Sequence, residues 1–193
     1  TAELAKLMEA SQLTGCVVSH WRKIAQNKPT LCFAVNIHHS KILVSKFLEA
    51  GISAVHCDAD SSDEERNSII RAFERREIQV ISNVGIFSTG VDIPCIEAII
   101  LARPTKSKNL FIQQVGRGTR PSPSKEKCIL LDHAGNVLRH GFPTDEPTVS
   151  LNGKQKITHQ KESKVCKHCF AIFRGMRCDQ CDAPPEIVTP KEI

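Results

Sequence analysis

No apolar run in this chain of 193 residues approaches the roughly 20 residues that a bilayer-spanning helix needs, so the sequence carries no membrane-spanning signature. Thr1 to Ala10 alternates charges with leucine and alanine in the manner of an amphipathic helix, and lacks the basic-then-apolar layout of a secretory signal. A glycine-rich loop ending in G-K-[ST], which would cradle the phosphates of a nucleotide, is missing, as is an acidic pair to hold magnesium. The pair Gly153-Lys154 is followed by Gln155 in a polar stretch with no strand before it, and reads as linker. No P-D…[DE]-x-K nuclease arrangement is evident either.

What is present suffices for a core. An apolar fraction of 40% lets a chain of this length bury an α/β interior of ordinary size. Trp21, Ile24 and Ala25 recur at helical spacing within Ser19 to Gln26, and Lys28-Pro29 breaks the pattern before an apolar run from Leu31 to Val35. Ile42, Leu43, Phe47 and Leu48 predict a second helix that stops at Gly51, followed by a strand from Ile52 to His56. Ser62 with Glu65 is a capping-box pattern opening a helix through Ile69, Ile70 and Phe73. Further strands are expected at Ile78 to Ser82, Ile96 to Leu101 and Cys128 to Leu131. Strands alternating with helices predict a parallel sheet covered on both faces.

The most informative stretch is Gln113-Gln114-Val115-Gly116-Arg117-Gly118-Thr119-Arg120, preceded by Ser88-Thr89-Gly90-Val91-Asp92-Ile93-Pro94. Arginines three positions apart share one face if the segment is helical, where their planar forks can grip phosphate oxygens. Q-x-x-G-R-x-x-R after T-G-x-D-x-P resembles motifs VI and V of superfamily 2 helicases and translocases. Leu31 to Asn36 resembles motif IV, and Ala98 to Thr105 resembles the strand and loop before motif VI. The resemblance covers roughly residues 15 to 142, about two thirds of the chain, and implies the second RecA-like lobe of such a motor.

That resemblance implies roles residue by residue. Arg117 and Arg120 would act as arginine fingers on ATP bound with Mg2+. Gln113 and Gly116 would face the nucleotide, with Gly90 beside them and Asp92 on its ribose. Ser88, Thr89, Asn36 and His39 would meet the nucleic-acid backbone. Gln113-Gln114 stands where DEAD-box RNA helicases carry His-Arg. With Gly116 to Pro121 and Leu131-Asp132-His133-Ala134-Gly135-Asn136, it resembles the branch of XPB-type DNA translocases, restriction-enzyme motor subunits and phage-type helicases, which points to DNA before RNA. Thr89 departs from the Glu that many of that branch carry. Asp132-His133 could be an acid-base pair, but a histidine after a strand end is more often a loop anchor. A lobe without a phosphate loop, beginning at a threonine, is expected to be a piece of a longer polypeptide, inactive without its first RecA-like lobe. Two other readings stay open: a non-catalytic binding module, and the motor subunit of a restriction enzyme.

The nine cysteines form two populations. Cys16, Cys32, Cys57, Cys95 and Cys128 occur singly, mostly in or beside apolar runs, as reduced core cysteines do in a cytoplasmic or nucleoid-associated protein. Cys166, Cys169, Cys178 and Cys181 form two C-x-x-C hooks whose spacing suits one tetrahedral Zn2+. A redox dithiol or two disulfides are the competing readings, and His168 is a possible substitute ligand. Lys154, Lys156, Lys161, Lys164, Lys167, Arg174 and Arg177 against Glu162 give residues 153–177 a formal +6 within a chain of +5, leaving −1 for the rest. A four-thiolate zinc site would lower that surplus by about 2. Phe170 and Phe173 lie among these cations, able to stack on unpaired bases or simply to cover the metal. The expected organisation is a RecA-like lobe over 1–142, a polar linker over 143–163, and a zinc ribbon with its tail over 164–193.

Overall fold

The computed structural model describes residues 11–86, 93–123, 125–145, 163–166, 171–179, 181 and 182, with the side chains of 11–15 excluded. The chain divides into two compact units, Thr1–Gly135 and Asn136–Ile193.

The first unit is a five-stranded, all-parallel RecA-like sheet. Its elements are α1 (Ser11–Ile24), β1 (Thr30–Phe33), α2 (Ile37–Glu49), β2 (Ala54–Cys57), α3 (Asp63–Glu74), β3 (Val80–Asn83), β4 (Ala98–Leu101), α4 (Lys108–Gly116) and β5 (Ile129–Asp132). The strand order is β2-β3-β1-β4-β5, with Cys32 paired to Ser82 on one side and Ile100 on the other. The chain steps from β1 out to β2 and back to β3, so right-handed crossovers put α2 and α3 on opposite faces.

Alternation along the strands sorts the core. Cys32, Val80, Ala98, Ile100 and Leu131 face the layer formed by Val17, Val18 and Trp21 of α1, Ala25 just beyond it, and Leu43 and Phe47 of α2. Trp21 meets Phe47 edge-on at 5.7 Å and donates its indole N–H to Thr30 Oγ1 at 2.6 Å. Leu31, Ile81, Ile99 and Leu101, alternating to the other face, are fully buried, as are Phe73 of α3 and Phe111 of α4.

Local signals end the helices where the tertiary fold needs them. Gly51 (φ 74°) follows α2, and the Gly51 and Ile52 amides return to Leu48 O and Phe47 O, both at 2.9 Å. That is a Schellman closure, which the left-handed glycine permits. Ser62 and Glu65 close the reciprocal capping box at the start of α3. At the amino ends of the strands, Glu97 accepts from Lys28 at 2.9 Å and Arg76 at 2.8 Å. Burial works to raise the Glu97 pKa, but these two cations hold it below the ordinary carboxylate value.

A polar chain also crosses the sheet. Ser40 Oγ lies 2.7 Å from both His56 Nδ1 and Ser82 Oγ, and His56 Nε2 lies 2.8 Å from Asp58. The His56 bond holds Asp58 below its ordinary pKa. This chain pins the first turn of α2 to β2 and β3.

The second unit holds α5 (Asn136–His140) and an antiparallel pair, β6 (Lys164–Val165) and β7 (Ile172–Phe173). Its described apolar core is Cys166, Phe173 and Cys178, with Ala171 and Cys181 packed against them. The Arg174 guanidinium grips both Asp145 oxygens, one of them at 2.6 Å, and lies 4.7 Å over the Phe142 ring.

The single cysteines divide by position. Cys32 and Cys57 are buried, as expected, and Cys95 and Cys128 are half-buried. Burial pushes the Cys32 thiol up to about 12 and the Cys128 thiol to about 11, which leaves them protonated and inert. Cys16 is exposed, because α1 turns its Val17, Val18 and Trp21 side inward.

Candidate functional site

All five strands run parallel, so their carboxyl ends share one edge, where open α/β sheets gather ligands. After β1, Asn36 caps α2 by accepting from the His39 amide at 2.7 Å. His38 is exposed. His39 is 1% exposed, and its Nδ1 accepts the Val35 N–H at 3.4 Å. The side chain expected to reach nucleic acid thus braces the turn from within. After β3, Ser88, Thr89, Gly90 and Asp92 lie outside the described residues. Asn83, which precedes them, is fully buried; its amide donates to Cys32 O at 2.8 Å while its Oδ1 has no partner among the described residues.

After β4, Thr105 accepts from the Ser107 amide at 3.0 Å, and Ser107 caps α4 by accepting from Leu110 N at 3.2 Å. This fixes where the helix begins and therefore which side chains it presents. Gln113 is exposed and Gly116 half-buried. Gln114 is 2% exposed, and its Oε1 has no partner among the described residues.

The helix ends earlier than the arginine spacing suggested. Arg117 is the C-cap of α4 and is buried. Arg120 lies beyond it in a bend, half-buried, so the two guanidiniums do not share a helical face. Gly118 supplies the reason. A Cβ there would overlap Cys128 Sγ and lie 2.8 Å from Ile99 Cγ1, so the absent side chain lets the backbone drop onto the sheet. The Gly118 amide then bonds Val115 O at 2.9 Å, a tightened last turn, and Thr119 Oγ1 donates to Gly116 O at 3.2 Å.

After β5, Asp132 Oδ1 accepts from Ala134 N at 3.1 Å. His133 stacks on His20 with ring centroids 5.3 Å apart. Burial, reinforced by His20, pushes the His133 pKa down to about 4. A neutral imidazole in a ring stack is the anchoring role, and the Asp132 carboxylate serves the turn.

Motif reasoning passed over Lys125. Its ammonium donates to Pro94 O at 3.2 Å, Ile96 O at 3.0 Å and Gly118 O at 3.0 Å. A lysine in a Ser-Pro loop carries no local mark of such convergence.

In the second unit, Cys166, Cys178 and Cys181 bring their sulfurs within 4.8 Å of one another, with Cys166 and Cys181 at 3.6 Å. Cys169 lies outside the described residues. A tetrahedral ion with bonds of about 2.3 Å needs thiolates roughly 3.8 Å apart, whereas a disulfide needs about 2 Å, so the donor set fits a metal. Phe173 is buried against these thiols, which gives it the covering role; Phe170 lies outside the described residues. Of the cations counted as a basic surface, the three described have internal partners: Lys164 on Gly175 O, Arg174 on Asp145 and Arg177 on Asp182.

Comparison with known proteins bears on this arrangement. The family model described as the helicase conserved C-terminal domain matches residues 9–122. A Saccharomyces cerevisiae relative named as an ATP-dependent helicase, IRC3, is 36% identical over 190 residues, covering 90% of this chain and 28% of that protein. A 51.5 kDa protein of a Lactococcus phage is 32% identical over 175 residues, covering 86% of this chain and 38% of its own length. The chain therefore spans well under half of either relative. The solved structure of the Escherichia coli DEAD-box protein SrmB superposes with TM-score 0.56 at 19% identity, over 67% of this chain and 79% of that one. These structural likenesses concern the fold. No helix among the described residues is long and apolar enough to cross a membrane.

Proposed function

The chain belongs to the helicase conserved C-terminal domain family, and from that premise we propose that it is the second RecA-like lobe of an ATP-dependent nucleic-acid motor. The observation that carries this reading is the end of α4. Exposed Gln113, half-buried Gly116 and the capping Arg117 fall within about one turn of one another, followed by Arg120. One amide and two guanidiniums form a donor set suited to phosphate oxygens. The sequence has no G-K-[ST] loop, so the phosphate cradle would come from a first lobe elsewhere in a longer polypeptide. ATP with Mg2+, bound between the lobes, would supply the phosphoryl group and its counter-charge.

In this reading Arg117 and Arg120 neutralise charge that develops as the γ-phosphate leaves. Gln113 and Gly116 line the nucleotide, Gly90 allows close backbone approach, and Asp92 accepts from ribose hydroxyls. Ser88, Thr89 and Asn36 meet the phosphates of one strand, with His39 bracing the turn that presents Asn36. Contact is mainly with the backbone and independent of sequence. DNA is the proposed substrate ahead of RNA, on the Gln113-Gln114 pair. Cys169 joins Cys166, Cys178 and Cys181 around one Zn2+, a closed four-thiolate shell that supports folding and leaves no position for catalysis.

The test uses the longer polypeptide that joins this segment to its first lobe. Arg117→Ala should lower nucleic-acid-stimulated ATP turnover about 10³-fold with thermal melting unchanged. The segment on its own should hydrolyse no ATP in the same assay. Wild-type turnover in a folded Arg117→Ala protein would remove the reading.

A further inference from the structure

Lysine is ordinarily a solvated charge or the partner of a carboxylate. Among the described residues Lys125 is neither. It is half-buried, and its ammonium has three donors, which go to three backbone carbonyls 31, 29 and 7 residues away in the chain. Its own amide closes the loop on Ser122 O at 3.0 Å, so both ends of the residue are held.

The three carbonyls lie on segments with different duties. Pro94 ends the T-G-x-D-x-P stretch, two residues beyond Asp92. Ile96 leads into β4 and is buried. Gly118 sits between Arg117 and Arg120, and its amide is already committed to Val115 O. Behind Gly118 there is no space, since even one added carbon would meet Cys128 and Ile99. The arginine turn is therefore pressed against the sheet at Gly118 and tied by Lys125 through the Gly118 carbonyl. A charge-assisted tie of this kind resists displacement more than a neutral contact would.

We infer that Lys125 is a positioning residue that couples the T-G-x-D-x-P segment to the arginine turn, so that engagement of a nucleic-acid strand at the first sets the reach of Arg117 and Arg120 at the second. This deepens the motor reading and rests on it. The Lys125 ammonium spends its donors on backbone carbonyls. It transmits through Pro94 O and Gly118 O, which cannot shift relative to each other without breaking a bond to the same nitrogen.

The test compares wild type, Lys125→Met and Arg117→Ala in the longer, two-lobed polypeptide, reading basal ATP turnover, turnover saturated with single-stranded DNA, KM for ATP and Kd for the strand. Methionine keeps the aliphatic reach and removes all three donors. Lys125→Met should leave KM and Kd within about twofold and lower the ratio of stimulated to basal turnover about tenfold, the scale of an ordinary coupling between sites. A merely structural residue would move melting or all four quantities together. Should Lys125→Met fail to fold, Lys125→Arg takes its place, because a planar fork keeps the charge but cannot aim at three converging carbonyls; the same fall in ratio is expected. A wild-type ratio in either folded variant overturns the inference, and so does unfolding of both, which would make Lys125 a residue of the fold. If Arg117→Ala retains wild-type turnover, the motor reading itself fails. If Arg117→Ala is inactive while Lys125→Met keeps its ratio, only the coupling fails.

Discussion

The two units of this chain are stabilised by different physics. The first buries Trp21, Phe47, Phe73, Phe111 and a layer of isoleucines and leucines across a five-stranded sheet. The second offers, among its described residues, one buried phenylalanine beside its thiols and two strands of two residues each. Apolar burial is worth roughly 25 cal/mol per Å², so the first unit can fold on area alone, whereas so small a core cannot offset the entropy of ordering its chain. Thiolates that converge on one point repel one another unless a cation joins them, and the binding of that cation is then folding free energy. The comparison teaches that the sheet stores stability in many small contacts, whereas the cysteine unit, in the proposed reading, rests on one metal centre.

The sharpest way to break that comparison is to remove the proposed zinc. Cys178→Ser, or a strong zinc chelator, should abolish amide protection across 164–182 while β1, β3 and β4 keep theirs, as read by hydrogen exchange. Structural zinc sites contribute about 10–16 kcal/mol, so the loss should be complete, and unchanged protection in 164–182 would show that no metal holds them. The converse test acts on the sheet. Phe47→Ala should cost about 3–5 kcal/mol in denaturant unfolding of the first unit and leave the zinc content at one equivalent.

A smaller effect probes the tight approach behind the arginine turn. Gly118→Ala should cost about 2–3 kcal/mol by overpacking, and adding Cys128→Ala should recover part of it, because that substitution removes the nearest obstructing atom. Equal and additive losses in that cycle would contradict the packing. The smallest concerns protons. The folded pKa of His133 lies near 4, below its ordinary 6.5, so the stability it leaves intact above pH 6.5 is lost as pH falls towards 4. Acidification from pH 7 to pH 5 should cost about 2 kcal/mol, and His133→Gln should flatten that dependence. Metal content measured alongside separates the two units.

Much of the fold was legible in residue order. Each of the five strands occurs within about two residues of its expected place, because continuous apolar runs bounded by turns are what a doubly covered parallel strand requires. The Ser62 and Glu65 box and the Gly51 stop are local chemistry and read directly. The candidate site was less legible. Gln113, Arg117 and Arg120 could be named by their motif, but not the end of α4 at Gly116, since that depends on Ile99 and Cys128 lying under Gly118. Within the basic stretch of the second unit, charge counting gave Arg174 to the surface, whereas its guanidinium is held by Asp145. Its partner lies 29 residues earlier in the chain, and charge counting cannot anticipate it.

Periodicity, capping residues and cysteine spacing act within a few residues, and they determined the α/β class, the strand positions and the metal-ligand pattern. Only the tertiary structure decided that His39 faces inward, that Arg117 ends a helix instead of sharing its face with Arg120, and that Lys125 joins three segments. Each of these depends on which atoms of distant segments fill the space around a side chain. That is settled by close packing and by the need of every enclosed donor to find an acceptor.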